Sequence, residues 1–156
     1  LEIGCAAGFL GVHLANSRVD ISVRLQEDDP ALQQVLARVC TASGRSVNDR
    51  FDLLDSPLDP DPVAAAVAMV AGFAPTVLML SDPRLGPDRL AALLPQLPLP
   101  APQQIFLTGR LLARWHRDLS GVAALLGALG YRPDFDLDPV QALAFSAAPD
   151  EDDSEE

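Results

Sequence analysis

The hydrophobic residues of this chain switch repeatedly between a strand-like and a helix-like spacing. Every second residue from Val19 to Leu25 is apolar, which predicts a strand with one buried face. Between Pro30 and Val39 the apolar residues recur at intervals of three and four, which predicts a helix that begins at a proline. The predicted strands are 1–3, 19–25, 46–54, 75–80 and 104–108, and the predicted helices begin after residue 8 and at residues 30, 63, 87 and 110.

This alternation predicts a fold of the α/β class. Five strands that alternate with helices favour an open, mostly parallel, Rossmann-like sheet with helices on both faces. The segments 131–138 and 140–146 follow the last helix and predict a C-terminal β-hairpin. We therefore expect one domain over residues 1–148, followed by an acidic, disordered tail at 149–156. A ligand is expected at the carboxyl ends of the strands, near the point where the strand order reverses.

The turn after the first strand is the strongest candidate for such a site. Gly4, Ala6 and Gly8 lie two residues apart in the pattern Glu-x-Gly-x-Ala-x-Gly, and a helix follows them. Small residues let the backbone turn sharply and let a ligand approach the main chain. The first turn of the helix adds free N–H groups and the positive end of the helix dipole.

This turn resembles motif I of the class I S-adenosylmethionine (SAM)-dependent methyltransferases. The resemblance implies that SAM is the cofactor and that the turn holds its methionine end and ribose. The residues it assigns to this task are Glu2, Gly4, Ala6, Gly8 and Phe9.

Two carboxylates at later strand ends extend the candidate site. Glu27 ends the second strand, where a carboxylate can accept hydrogen bonds from both ribose hydroxyls of a nucleoside. Asp52 lies in the third strand segment and could accept from an adenine amino group, although Asp49 and Asp55 are close competitors. Neither position has a spacing that predicts a metal site.

The segment Ser81-Asp82-Pro83-Arg84-Leu85-Gly86 resembles the Asp-Pro-Pro-Arg-x-Gly loop of the RNA uracil-C5 methyltransferases. Glu27-x-x-Pro30-Ala31-Leu32 and Ile105-Phe106-Leu107-Thr108 also fit motifs of that family. The resemblance implies that Ser81 or Asp82 contacts the cofactor and that RNA, either tRNA or rRNA, is bound through a further N-terminal domain.

The catalytic pair of that family is missing from this sequence. The family's cysteine nucleophile corresponds to Gly109, and the segment 139–145, where its glutamate base is expected, contains no carboxylate. The catalytic residues are therefore unknown. A methyl acceptor that is already a nucleophilic nitrogen or oxygen would need neither residue.

Composition narrows the choice of partners. The net charge is −11, and this acidity argues against strong non-specific binding of nucleic acid. All eleven basic residues are arginine. Arg110, Arg114 and Arg117 share one face of a predicted helix and could grip RNA phosphates, or could form a solvated face paired with Asp118. The two cysteines do not form a disulfide framework, which favours a cytoplasmic location.

Three hypotheses follow from these patterns. The first is a SAM-dependent methyltransferase domain related to the RNA uracil-C5 enzymes. The second is an inactive relative that binds RNA or protein, and the third is a nicotinamide-dependent Rossmann enzyme. Because the chain begins on a strand without a methionine, we expect an N-terminal part to be missing.

Overall fold

The computed structural model describes residues 1–6, 8–17, 21–42, 51–54, 57–108, 119–134 and 142–147. The strands are β1 (Glu2–Ile3), β2 (Val23–Gln26), β3 (Phe51–Leu54), β4 (Val77–Leu80), β5 (Gln104–Thr108), β6 (Tyr131–Asp134) and β7 (Ala142–Ala147). The α-helices are α1 (Phe9–Ser17), α2 (Pro30–Ala42), α3 (Pro62–Phe73), α4 (Pro87–Leu93) and α5 (Leu119–Ala128). Short 3₁₀ turns cover Pro83–Leu85 and Leu94–Gln96.

The strands form one seven-stranded sheet in the order β3-β2-β1-β4-β5-β7-β6. Strands β1 to β5 run parallel, and β7 inserts antiparallel between β5 and β6. The predicted α/β class and the parallel sheet with a C-terminal hairpin are confirmed. The strand order reverses between β1 and β4, which is the expected place for a ligand.

The carboxyl ends of three neighbouring strands lie level with one another. Ile3 of β1 pairs with Gln26 of β2 on one side and with Leu80 of β4 on the other. The residues that follow these three partners therefore meet at the same edge of the sheet. These are the motif I turn, the segment that starts at Glu27 and the segment that starts at Ser81.

Each face of the sheet has its own hydrophobic core. Leu1, Ile3 and the inward residues of β4 and β5 pack against α3, α4 and α5. On the opposite face, α1 and α2 cover β2 through a smaller cluster that includes Val12, Leu25 and Leu36. Because alternate residues of a strand point to opposite faces, Glu2 faces the side of α1 while its neighbours face the larger core.

Strands β1, β2 and β4 are shorter than the hydrophobic pattern predicts. Strand β2 begins at Val23, not at Val19, and Val23 pairs with Phe51 of β3. A strand extends only as far as its neighbours supply hydrogen-bond partners, which an apolar pattern cannot report. The predicted start of the last long helix, residues 110–118, and the tail at 149–156 lie outside the described residues.

Helix termini in this fold follow ordinary capping rules. Asp61 precedes α3, and its carboxylate accepts from the backbone N–H groups of Val63 and Ala64, while Pro62 occupies the first turn. None of the helices in the described ranges is both long and apolar enough to cross a membrane.

Candidate functional site

The turn after β1 is fastened to the end of β2 by backbone hydrogen bonds. The N–H groups of Gly4 and Cys5 both donate to the carbonyl of Gln26 at 2.9 Å, and Gly4 also donates to Gln26 Oε1 at 3.0 Å. Gly4, Ala6 and Gly8 all have positive φ angles, of 75°, 53° and 67°. The turn is therefore a left-handed, tightly held connection that leads into α1.

The two glycines are required by the protein's own packing. A Cβ at Gly4 would lie 2.5 to 2.6 Å from the Cβ, Cα and N atoms of Asp82, so the β1 and β4 loops are in backbone contact. A Cβ at Gly8 would lie 2.1 Å from the side chain of Leu36 on α2. The glycine spacing that predicted close approach of a ligand is therefore also needed for the close packing of the β1 loop against the β4 loop and α2.

Glu2 is a buried carboxylate with an unused hydrogen-bonding atom. Its residue is 5% exposed, and Oε2 has no hydrogen-bond partner in the part of the chain that the structure describes. Burial raises the pKa of Glu2 to about 7, and the backbone N–H of Gly11 in the first turn of α1 partly offsets that effect. An acceptor that is removed from water without a partner costs stability, so a ligand that supplies a donor there would be favoured.

Glu2 lines a large apolar cavity on the α1 side of the sheet. The cavity has a volume of about 740 Å³ and extends from α1 across β4 and β5. Its lining includes Leu10 and Leu14 of α1, Met79 of β4 and Phe106 of β5. Glu2 therefore borders a space that is large enough for a small molecule.

Glu27 holds the end of β2 against the motif I turn. Its residue is 5% exposed; Oε2 accepts from the Ala6 N–H at 2.8 Å and Oε1 accepts from the Asp29 N–H at 3.0 Å. The carboxylate of Glu27 therefore joins the end of β2 to the turn after β1. The ribose role that the sequence predicts for Glu27 remains a prediction.

Ser81 and Asp82 lie at the same edge, at the end of β4. The Ser81 hydroxyl is 2.5 Å from the Thr108 hydroxyl at the end of β5. Asp82 is almost fully buried, and its carboxylate accepts from the backbone N–H of Arg84 at 2.7 Å and from the Arg84 guanidinium. The proposed cofactor contacts of these two residues remain predictions.

Other predicted site residues are only partly described. Phe9 begins α1 and Asp52 lies in β3, but their side chains are outside the described part of the structure. Gly109 and the arginine face formed by Arg110, Arg114 and Arg117 also lie outside the described residues.

The sequence did not single out Arg84, which the structure makes the centre of an ionic cluster. Its guanidinium contacts Asp82 at 2.6 Å, Asp28 at 2.5 Å and Asp59 at 3.3 Å. These carboxylates come from the segments after β4, β2 and β3. The three aspartates converge on a guanidinium, and no group of residues in the described ranges has the arrangement of a metal site.

The two cysteines belong to the smaller core. Cys5 and Cys40 form no disulfide in the described residues, and both are buried in the cluster between α1, α2 and β2. Burial raises the pKa of the Cys5 thiol, and the nearby carboxylates of Glu2 and Glu27 raise it further. A thiol in this setting stays protonated and packs as a small apolar group.

Comparison with solved structures identifies the fold. A structure described as a caffeoyl-CoA O-methyltransferase from Staphylococcus aureus matches with a TM-score of 0.62 and 13% identity, over 94% of this chain and 74% of that one. A SAM-dependent methyltransferase from Methanococcus maripaludis matches with a TM-score of 0.54 and 14% identity, over 96% of this chain and 77% of that one. This chain has the methyltransferase fold. No family model and no curated protein matches its sequence.

The shared fold fits the geometry of the candidate site. The strand order, with its reversal between β1 and β4, places the motif I turn, Glu27 and Ser81 at one edge of the sheet. Because both identities are below 15%, the likeness defines the architecture and not the reaction.

Proposed function

We propose that this chain binds SAM at the carboxyl edge of its sheet and acts as a methyltransferase. The observation that carries the proposal is the Glu2 carboxylate, which is buried with an unpartnered oxygen at the point where the strand order reverses. A buried acceptor at this position would be satisfied by the ammonium group of the cofactor's methionine end. The motif I resemblance and the shared fold support the same assignment.

The residues present form a plausible binding set for the two polar ends of SAM. Glu2 would accept from the ammonium group, which would hold the Glu2 side chain in its charged form. Glu27, which accepts from the Ala6 and Asp29 N–H groups, would also accept from the ribose hydroxyls. The free N–H groups of the first turn of α1 would face the carboxylate end.

Bound SAM would supply a methyl group to a nucleophilic acceptor. The contribution of this chain would be to hold the cofactor and to orient it toward the acceptor, since positioning alone can supply a large share of the rate. The cavity beside Glu2 is lined mainly by apolar side chains and would exclude water from that side. We propose an acceptor nitrogen or oxygen, because Gly109 stands where a uracil-specific nucleophile is expected.

A relation to the RNA uracil-C5 methyltransferases is a finer proposal. It rests on the segment Ser81–Gly86 and on the other motifs described from the sequence. This proposal implies that the binding partner is RNA. The alternative is an inactive module that keeps the fold and binds RNA or protein. Incubation with tritiated SAM and tRNA or rRNA transcripts would distinguish an active RNA methyltransferase from an inactive module, because only the active enzyme transfers the label to RNA.

Calorimetric titration with SAM tests the cofactor assignment. We expect saturable binding by the unmodified protein, with NAD as a control ligand that does not bind. Glu27→Gln should weaken SAM binding by roughly tenfold to a hundredfold, which is the usual loss for a hydrogen bond to a charged group.

The matched control is Asp88→Asn, which removes one negative charge at an exposed position in the first turn of α4. It should leave SAM affinity unchanged. If a folded protein shows no saturable SAM binding, or if both variants weaken it equally, the cofactor assignment is wrong.

A further inference from the structure

The ionic cluster around Arg84 connects three segments that follow different strands. Asp28 follows β2, Asp59 lies between β3 and α3, and Asp82 and Arg84 follow β4. The Arg84 guanidinium uses separate nitrogens for Asp82 and for Asp28, at 2.6 Å and 2.5 Å. We refer to Arg84, Asp28, Asp59 and Asp82 together as the Arg84 clasp.

The clasp crosses the carboxyl end of β1. In the sheet, β1 lies between β2 and β4, so a bridge from Asp28 to Asp82 spans two strand spacings, or about 10 Å. One anchor, Asp82, is the residue whose backbone touches Gly4. The other anchor, Asp28, directly follows Glu27, the predicted ribose acceptor. The bridge therefore lies at the edge where a nucleoside bound to Glu27 has to enter.

Further hydrogen bonds to Asp28 hold the clasp in this position. The Leu58 N–H donates to Asp28 Oδ2 at 3.1 Å, and the Gln26 side-chain amide donates to the other oxygen of Asp28. Leu58 itself is fully buried in the larger core. The segment before α3 is thus anchored to the end of β2 through the same carboxylate that receives Arg84.

The pKa values of Asp28 and Arg84 are both shifted in the direction that favours their ion pair. Partial burial opposes the charged form of Asp28, but the hydrogen bonds from Arg84 and Leu58 outweigh it and lower the pKa of Asp28. Hydrogen bonds with Asp82 and Asp28 raise the pKa of Arg84. The contacts are only partly buried, with 30% of the Arg84 side chain exposed, so they can open at modest cost.

We propose that the Arg84 clasp is a gate on the cofactor crevice, and that a nucleoside reaches Glu27 only after Arg84 releases Asp28. This inference rests on the proposed function, because it takes Glu27 as part of the ligand site. Glu27 and Asp82 are both 5% exposed or less, so a ligand can reach this edge only after a local opening. Asp82 keeps Arg84 attached to the β4 side when the gate opens.

The test compares Arg84→Met with Arg38→Met, a variant of an exposed arginine on α2. Both variants lose one positive charge, so the change in net charge is the same in both. Stopped-flow measurement should show that SAM associates roughly threefold to tenfold faster with Arg84→Met at low salt. The ratio of the two association rates, Arg84→Met to Arg38→Met, should fall toward one at about 0.5 M NaCl, because screening weakens the clasp in Arg38→Met.

Amide hydrogen exchange without ligand gives an independent readout. The Leu58 N–H should exchange faster in Arg84→Met than in Arg38→Met, because its acceptor Asp28 is no longer held. Asp28→Asn provides a second variant that weakens the same contact, and it should also accelerate SAM association.

The outcomes separate the gate from the cofactor assignment. If the unmodified protein binds SAM, but SAM associates with Arg84→Met at the same rate as with Arg38→Met or at a lower rate, the gate is overturned. The cofactor assignment then stands. If no folded variant binds SAM although Leu58 exchange has accelerated, the cofactor assignment fails and the gate fails with it.

Discussion

Replacement of Gly4 by alanine is expected to destabilise the folded protein by about 3 kcal/mol or more. The residue has a φ of 75°, which costs an L-residue about 1 to 2 kcal/mol. Its Cβ would also lie within 2.6 Å of the Asp82 backbone, and overpacking of this kind typically costs about 1 to 3 kcal/mol. The free energy of unfolding in urea measures the effect, because the slope against urea reports any change in the exposed surface.

Two other glycines separate the causes of that loss. Gly130 has a φ of 84° but nothing within 4 Å of an added Cβ, so Gly130→Ala should show the backbone strain alone. Gly72 lies within α3 with open space around it, so Gly72→Ala should stabilise the helix by about 0.5 to 1 kcal/mol. If Gly4→Ala costs no more than Gly130→Ala, the close contact between the β1 and β4 loops is not a constraint on the fold.

The architecture could be predicted from the sequence because its elements are short and periodic. Strand β5 was predicted at residues 104–108, where it is observed, and α3 and α4 differ from prediction by one residue at each end or less. The parallel arrangement of the first five strands followed from the alternation of strands and helices, since parallel strands need crossover connections. The late start of β2, at Val23 instead of Val19, could not be predicted, because it depends on which residues find a hydrogen-bond partner in a neighbouring strand.

The sequence predicts a ligand site at the turn after β1, but it did not predict that the glycines of this turn are needed for packing. The structure gives Gly4 and Gly8 packing roles against Asp82 and Leu36. The Arg84 clasp was missed, although Asp82 and Arg84 lie in the motif segment Ser81–Gly86, because Asp28 and Asp59 are distant from it in sequence. A long-range ion pair of this kind becomes visible only when the topology brings the strand ends together.

Replacement of Glu2 by glutamine should change how stability depends on pH. The pKa of Glu2 is raised from its ordinary value of 4.5 to about 7 in the folded protein. Between these values the folded state binds more protons than the unfolded state, so the stability of the unmodified protein falls as pH rises. A pKa shift of this size corresponds to about 3 kcal/mol of unfolding free energy in total. None of this stability is lost below pH 4.5.

Glu2→Gln removes this titration and keeps the shape of the side chain. We expect the difference in unfolding free energy, variant minus unmodified protein, to rise in favour of the variant by about 3 kcal/mol between pH 4.5 and pH 8. Urea unfolding at several pH values measures it, and groups that titrate equally in both proteins cancel in the difference. Asp88→Asn should give a difference that does not depend on pH across this range.

The same residue links stability to the proposed binding site. Ionised Glu2 is unfavourable in the folded protein because it is buried and Oε2 has no partner. A cationic donor at that oxygen would stabilise the charged form and lower the pKa of Glu2, so SAM should raise the thermal stability of the unmodified protein more at pH 8 than at pH 6. In Glu2→Gln that pH dependence should disappear. If SAM stabilises both proteins equally at both pH values, the ligand does not contact Glu2, and the unpartnered carboxylate must be explained in another way.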